Sequence, residues 1–430
     1  MKPVSQVNAV VVDYGSFISL ADKLAETMAS VSYYRPHEEE FLCVADCCKG
    51  DGLDKVVRIE DFFDPQFIAE IDLFVFPDIG YGGLQRYLRS IGKAVWGSMG
   101  ADELELYRTR FIKTVKEMGL PVIHTETVRG LAKLREYLKT VKDKWVKINK
   151  YRANMETWHH LDFEHSRPEL DRLAAEFGGL QDHVVFVVQD VIETDVEIGY
   201  DGWCVDGQFP AESFQGYEKK NELYLGSLLA ADKLPKEVQR INKALAPLLK
   251  QFGYRNFIAT EIRVKDGVPY FIDPTLRMPG QTGEQMLETC SNLADVIWHG
   301  ANGQMLKPVF KYKFAAEATM HNTAGGEWGV LKIPDKVKQW FKLYHYCKAD
   351  GFYHFPPKVN MEFGVVLGCG NTIEAAIDAL KVNLDAIKEE PVKCKLEGFV
   401  DLLRDIKDAE KQGVTFTTQK IPSPVSVLGK

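Results

Sequence analysis

Glu261 and Asp273 lie on the two arms of what reads as one tight β-hairpin. The first arm is Phe257-Ile-Ala-Thr-Glu261-Ile-Arg-Val264, the turn is Lys265-Asp266-Gly267, and the second arm is Val268-Pro-Tyr-Phe-Ile-Asp273-Pro-Thr275-Leu-Arg277. β-Branched and aromatic residues fill both arms, and Asp-Gly is a turn dipeptide. A three-residue loop sets Val264 opposite Val268 and Glu261 opposite Phe271. Asp273 then lies diagonal to Glu261 on the same face, roughly 7–8 Å away. Carboxylates at that spacing can converge on a hard cation such as Mg²⁺, which takes a few carboxylate oxygens together with water and phosphate. Arg277 follows at once, and its planar fork suits a transferring phosphoryl group. A solvated hairpin face carrying ordinary charges accounts for the same residues.

The chain that must position this hairpin has 430 residues, too many for one ordinary core, so two to four domains are expected. Its 45% apolar and 27% charged content is that of a soluble globular protein. A net charge of −8 disfavours nucleic-acid backbone as the main partner, because phosphate neutralisation needs a cationic excess. The N-terminus lacks an apolar stretch of signal-peptide length, and no run approaches the roughly 18–20 apolar residues of a membrane span. Eight cysteines, mostly in apolar segments, point to reduced thiols and a cytoplasmic location. Cys43, Cys47 and Cys48 lack a second ligand pair and read as buried thiols rather than zinc ligands. His159, His160 and His165 cluster without a metal-binding spacing and read as pocket or surface residues.

Short apolar runs alternate with helical stretches over the first 95 or so residues. Strands are expected at 7–13, 41–45, 55–59, 73–77 and 94–96, with helices at 17–30 and 83–91. That alternation predicts a parallel, doubly wound sheet. The Gly15-Ser16 turn could cradle phosphate, although GxGxxG is absent. Residues 102–118 read as one amphipathic helix with Leu104, Tyr107, Phe111, Val115 and Met118 on its apolar stripe. Arg108 falls inside that stripe and must find an anion or snorkel outward. A helix at 130–142 precedes a strand that carries Lys147 into a basic loop with Lys150 and Arg152, either a solvated edge or a clamp over polyphosphate. A buried strand at 183–192 turns polar at Gln189 and Asp190. Helices follow at 235–252, 284–299, 372–388 and 397–411. There is no internal repeat.

In this order the segments resemble the ATP-grasp superfamily, and their arrangement is close to that of the phosphoribosylamine–glycine ligases. The similarity covers nearly the whole chain. It implies an α/β and α+β protein with an N-terminal doubly wound, Rossmann-like domain over 1–100. A two-lobed ATP-grasp domain would span 101–310, with its lobe boundary near 190–193, and a small C-terminal α+β domain 311–430. It further implies an ADP-forming ligase that joins a small-molecule carboxylate to an amine through an acyl phosphate, using ATP and Mg²⁺ or Mn²⁺. Such an enzyme needs neither membrane nor nucleic acid and works as a monomer or homodimer.

Residue by residue, the resemblance places Arg108 and Lys147 on the ATP phosphates. Gln189, Asp190, Val191 and Ile192 would form the adenine-binding linker, and Glu197 would bind ribose. Glu261, Asp273 and Thr275 would stand at the metal, with Arg277, Lys147 and Arg152 as the catalytic cations. Three departures stand out. The phosphate-covering loop is Lys150-Tyr-Arg152-Ala-Asn-Met-Glu-Thr rather than glycine-rich, Asp273 replaces Glu, and Thr275 replaces Asn. In place of the segment that binds the amine substrate's ribose phosphate stands Phe214-Gln-Gly-Tyr-Glu218-Lys219-Lys220. Two alternatives stay open: a phosphoribosylamine–glycine ligase proper, and a non-catalytic nucleotide-binding module.

Overall fold

The computed structural model describes residues 1–36, 48–150, 157–194, 196–323, 328–356 and 362–423. The expected strand at 41–45, Cys43, Cys47 and Arg152 lie outside the described residues. The chain is a mixed α/β protein built on one parallel and several antiparallel sheets.

The N-terminal sheet is parallel and five-stranded. Its order is Val56–Ile59, Ser30–Tyr34, Asn8–Val12, Leu73–Val75, Ala94–Trp96. Helices Ile18–Ala25 and Gly82–Ser90 follow the first and fourth of its strands along the chain. Strand order reverses beside Asn8–Val12, so the loops after Val12 and Val75 open at the crevice where such sheets present ligand-binding groups. The strand Ser30–Tyr34 was not expected. Helix Ile18–Ala25 stops early, and the Ser-Val-Ser-Tyr alternation then buries Val31 and Tyr33 against Asn8–Val12.

A four-stranded antiparallel sheet follows, in the order Thr125–Arg129, Val185–Asp190, Lys144–Ile148, Thr157–His160. Helices Leu131–Leu138 and Phe163–Phe177 pack on it around Leu134, Leu138, Val146, Leu170 and Phe186. It is a separate small core. The clustered histidines belong to this unit as structural groups. His159 meets Asp143 at 2.6 Å, His160 meets Ser166 at 2.7 Å, and His165 meets Asp162 at 2.8 Å.

The largest sheet has nine strands. Along its main path run Val268–Thr275, Arg255–Lys265, Glu197–Val205, Glu212–Lys219, Leu223–Ala230, Phe314–Asn322, Glu362–Gly370 and Phe341–Leu343. It is continuous from the hairpin to the strands beyond residue 310. Helix Gly398–Lys411 packs on the strands Glu212–Lys219 and Leu223–Ala230. The amide of Gln215 reaches the carbonyls of Thr415 and Phe416, at 2.9 and 2.8 Å, and pins the segment after that helix.

Two further stretches, each expected as one helix, are broken in two. The stretch 102–118 breaks at Tyr107 into Glu103–Leu106 and Arg108–Glu117. Asn149 causes the break: its carbonyl accepts from Arg108 N at 3.1 Å and its Oδ1 from Thr109 N at 2.8 Å, so the strand end caps a new helix start. Residues 284–299 form Gln285–Thr289 and Leu293–Ala301. The interruption pairs Cys290 with Phe310.

A buried ion pair ties the ends of the chain together. Lys342 Nζ lies 2.7 Å from Glu288 Oε1, and Lys23 Nζ approaches Oε2 at 3.3 Å. The Lys342 and Glu288 side chains are only 6% and 5% exposed, so neither charge can turn to water if its partner is removed. Glu288→Gln should therefore destabilise the protein by about 3–5 kcal/mol. Urea titration of the variant checks this, and a loss below about 1 kcal/mol would show the pair to be incidental.

Candidate active site between the two lobes

The hairpin forms as expected in type but not in register. Its turn has two residues, Asp266 and Gly267, both left-handed at φ 52° and 73°, so Lys265 rather than Val264 opens the loop opposite Val268. Uninterrupted, this register would set Ile272 opposite Glu261. A bulge between the Ile262–Phe271 and Glu261–Asp273 pairs takes up Ile272 instead. Asp273 therefore stands directly opposite Glu261, not diagonal to it, and Thr275 stands opposite Ala259. Without the bulge, Asp273 would belong to the opposite face of the sheet.

Both carboxylates line a cleft of about 280 Å³, together with Glu197, Asp201, Glu218, Lys220, Thr275 and Arg277. Lys147 approaches the same carboxylates from the four-stranded sheet, and Arg108, on the helix Arg108–Glu117, stands close to Lys147. Arg108 is held by the Ile148 carbonyl, 2.8 Å from its guanidinium. Burial pulls the Lys147 ammonium below its ordinary range, against the opposing pull of Asp273. Burial, and then the neighbouring Glu197, push the Glu261 carboxyl well above its ordinary range. Glu261 in turn is the main cause that holds Lys220 protonated. Two of the expected cations, Lys147 and Arg277, thus meet the expected carboxylates, and Arg108 stands beside Lys147.

Glu197 is engaged on two sides. Its Oε2 accepts from Arg263 at 2.9 Å across the strand pair, and its carboxyl shares a hydrogen bond with Glu261. Asp190 turns its side chain away from the cleft, to Lys144 at 2.9 Å and His124 at 3.5 Å, and the amide of Gln189 donates to Thr125. Both side chains are thereby taken up by neighbouring residues. Lys219 and Lys220, adjacent in sequence, part company. Lys219 pairs with Glu222 at 3.2 Å, whereas Lys220 lines the cleft.

Arg277 is fixed by residues that the sequence did not reveal. Its Nε donates to Glu105 at 3.0 Å and lies 3.8 Å from Asp78, while the other Glu105 oxygen accepts from Leu276 N at 2.7 Å. The Glu105 side chain is fully buried, and burial lifts Asp78 to about 6. Glu105 carried one usable signal, an acid between the apolar Leu104 and Leu106. Asp78, Asp201 and Tyr224 carried none, because their partners are distant in sequence. The Gly15-Ser16 turn is not a phosphate cradle. Its Gly15 and Phe17 N–H groups donate to Asp13 Oδ2 at 2.9 and 2.8 Å, and a Cβ at Gly15 would stand 2.6 Å from the His345 ring.

Among the described residues, no three His, Cys, Asp or Glu side chains could hold a metal ion. A paired carboxylate set still suits Mg²⁺, which fills its remaining positions with water and phosphate. The raised Glu261 carboxyl fits such an ion, because a divalent cation would relieve the crowding that now favours its protonated form.

No family model matches the sequence, and no curated protein matches it. Solved structures do match in fold. Phosphoribosylamine–glycine ligase from Thermotoga maritima aligns with a TM-score of 0.64 at 13% identity, over 90% of this chain and 98% of the other. The biotin carboxylase domain of 2-oxoglutarate carboxylase from Hydrogenobacter thermophilus, solved with MgADP, aligns with a TM-score of 0.64 at 12% identity over 96% of each chain. N5-carboxyaminoimidazole ribonucleotide synthetase from Thermus thermophilus gives 0.57 at 14% identity, over 89% and 99%. The chain has the ATP-grasp fold that these proteins share.

The crowded carboxyls set a pH dependence. Burial raises Asp78 to about 6 and Asp201 to about 7 from the ordinary 3.8, and also raises Glu261, Glu284 and Glu317. A carboxyl with a raised folded-state value stabilises the fold fully below its unfolded value, and that contribution is lost as pH rises through the folded value. The lowered carboxyls Asp190 and Glu222 act in the opposite sense, but only as pH falls past their ordinary 3.8 and 4.5. The ligand-free protein should therefore melt higher at about pH 5.5 than at about pH 8. Thermal melts in matched buffers decide this, and a higher melting temperature at the alkaline end would contradict the assignment.

Proposed function

We propose that the chain is an ATP-dependent carboxylate–amine ligase that forms a C–N bond through an acyl phosphate and releases ADP and phosphate. The observation that carries this reading is the direct pairing of Glu261 with Asp273, faced by Lys147 from the other lobe. Two acids and a converging set of cations suit the polyphosphate of a nucleotide far better than a neutral ligand. ATP would lie between the lobes, its adenine against the main chain of Gln189–Ile192 and its ribose near Glu197. Lys147 and Arg108 would hold the phosphates. Glu261 and Asp273, with Thr275 beside them, would hold Mg²⁺, whose charge offsets that of the β- and γ-phosphates when bound.

The chain's own groups then have a simple task. The acid substrate's carboxylate attacks the γ-phosphorus, the bond to the β-phosphate oxygen breaks, and ADP leaves. Arg277, immobilised by Glu105 and Asp78, is placed to neutralise the transferring group and then the acyl phosphate. Its rigidity matters, because a cation already held in position needs no reorganisation when charge develops. The amine next attacks the acyl carbon and displaces phosphate. Lys220, drawn into the cleft by Glu261, would take part in seating a second anion, and Lys219 would not.

The direct test is ADP release by the purified protein with ATP, Mg²⁺ and a panel of carboxylates and amines that includes glycine with phosphoribosylamine. Turnover of that pair would identify a phosphoribosylamine–glycine ligase. Binding of ATP with no ADP release from any pair would favour a non-catalytic module. ATP with Mg²⁺ should raise the melting temperature by preferential binding to the folded state, and Lys147→Ala should remove most of that shift. Glu261→Gln should lower turnover at least about a hundredfold while ATP binding persists. A normal shift in the first variant, or near-normal turnover in the second, would sink the assignment.

Lys220→Ala should raise the apparent KM for the acid or amine several-fold, with the KM for ATP little changed, and Lys219→Ala should change neither. Equal effects of the two substitutions would remove Lys220 from the site.

A further inference from the structure

Asp201 is a cleft carboxylate with no place in the scheme above. Asp201 lies on the strand Glu197–Val205, opposite Ala259, which is itself opposite Thr275. These three residues form one cross-strand row on the cleft floor. Gly199, Glu261 and Asp273 form the neighbouring row, and all six line the cleft. At ordinary strand spacing, Asp201 stands roughly 10 Å from Thr275. The small Ala259 keeps the floor between them open. Asp201 thus stands one strand over from Glu261 and two strands over from Asp273 and Thr275.

The fold goes to some length to place this side chain. The Tyr224 hydroxyl donates to Asp201 Oδ2 at 2.7 Å from two strands away. To reach it, the tyrosine ring passes over Gly216, where a Cβ would stand 2.1 Å from the ring. Asp201 is 4% exposed. The other cleft acids have cationic neighbours: Glu197 has Arg263, Glu261 and Glu218 have Lys220, and Asp273 has Lys147. Around Asp201 stand the hydroxyls of Tyr224, Thr282 and Tyr200 and the carboxyls of Glu218 and Glu317. No lysine or arginine pairs with it among the described residues. A carboxylate placed among acids and hydroxyl groups attracts cations and protons.

We propose that Asp201 is the general base that takes the proton from the acceptor amine. This rests on the ligase reading with an acceptor amine basic enough to arrive as an ammonium ion, which cannot attack while protonated. Asp201 removes one proton. The freed nitrogen lone pair forms the C–N bond at the acyl carbon, and the C–O bond to phosphate breaks. The second nitrogen proton leaves with the departing phosphate, and Asp201 returns its own proton to water. Burial raises the Asp201 carboxyl to about 7, a strength suited to proton transfer near neutral pH. The Tyr224 hydroxyl on Oδ2 fixes the group in the cleft wall. The acceptor this site prefers is a primary ammonium rather than a neutral or anionic nucleophile.

The test separates the two half-reactions. Full-length wild type and Asp201→Asn are incubated with ATP, Mg²⁺ and each acid of the panel. Hydroxylamine, uncharged near neutral pH, serves as the trapping nucleophile and needs no base. Asp201→Asn should keep the ATP-induced melting shift and form hydroxamate within about threefold of wild type, while its rate with the amine acceptor falls on the order of 10²–10⁴-fold. The wild-type protein supplies a second measurement that does not depend on the variant's folding. Its rate with the amine should fall below about pH 7, whereas its rate with hydroxylamine should not show that limb. Equal loss with both nucleophiles, or no loss with either, would overturn the base role and leave the ligase reading intact. The absence of hydroxamate from wild type with every acid would overturn the ligase reading, and the base role with it.

Discussion

Like charges held close together in a partly dry cleft are the constraint around which this molecule is organised. Glu197, Glu261 and Asp273 stand on three adjacent strands, with Glu261 and Asp273 directly opposed and Glu197 hydrogen-bonded to Glu261. Such a cluster is unfavourable unless cations or protons meet it. The cations come from separate parts of the fold. Lys147 is on the four-stranded sheet, Arg108 on the helix below it, Lys220 in the turn after Glu212–Lys219, and Arg277 beyond the hairpin. Electrostatic balance at the cleft therefore depends on separate parts of the fold.

The N-terminal sheet takes part in this arrangement. Asn256 at the start of the hairpin bonds the Phe76 carbonyl at 3.0 Å, and Met278 at its end bonds the Pro77 carbonyl at 2.7 Å. Trp96 packs edge-on against Phe257, with ring centroids 5.5 Å apart. Both ends of the hairpin are thereby anchored to the strand that also presents Asp78. Glu105 locks Arg277 from the opposite side. Catalytic groups on rigid strands with buried partners lose little entropy on engaging a ligand, which is the benefit of such a support.

The cleft also contrasts two ways of holding a carboxylate. Glu105 is fully buried and committed to Arg277 and a main-chain N–H, so it acts as a fixed counter-charge. Asp201 is nearly as buried, and burial, with the nearby Glu218 carboxyl, raises its proton affinity against the pull of the Tyr224 and Thr282 hydroxyls. Residue type and burial are almost the same in the two cases. The partners differ: Glu105 meets a guanidinium and a main-chain N–H, whereas Asp201 meets hydroxyl groups and other acids.

Local sequence was enough for several of these features. The hairpin, its Asp-Gly turn, the strand–helix alternation of the first domain and the helix Lys236–Phe252 follow from propensity and periodicity within short windows. The residue types at Lys147, Glu261, Asp273 and Arg277 were legible, as was the kind of chemistry they suit. The register was not, because a bulge that swallows Ile272 depends on how both strands meet the rest of the sheet. Nor was the break at Tyr107, where Asn149, distant in sequence, supplies the cap that starts the second helix. Tyr224 reaching over Gly216 to Asp201, and Glu105 with Asp78 gripping Arg277, are contacts between residues far apart in the chain. Short windows govern backbone conformation and amphipathic period, but the neighbours of a buried charge are chosen by packing across the whole fold, and only the tertiary structure could name them.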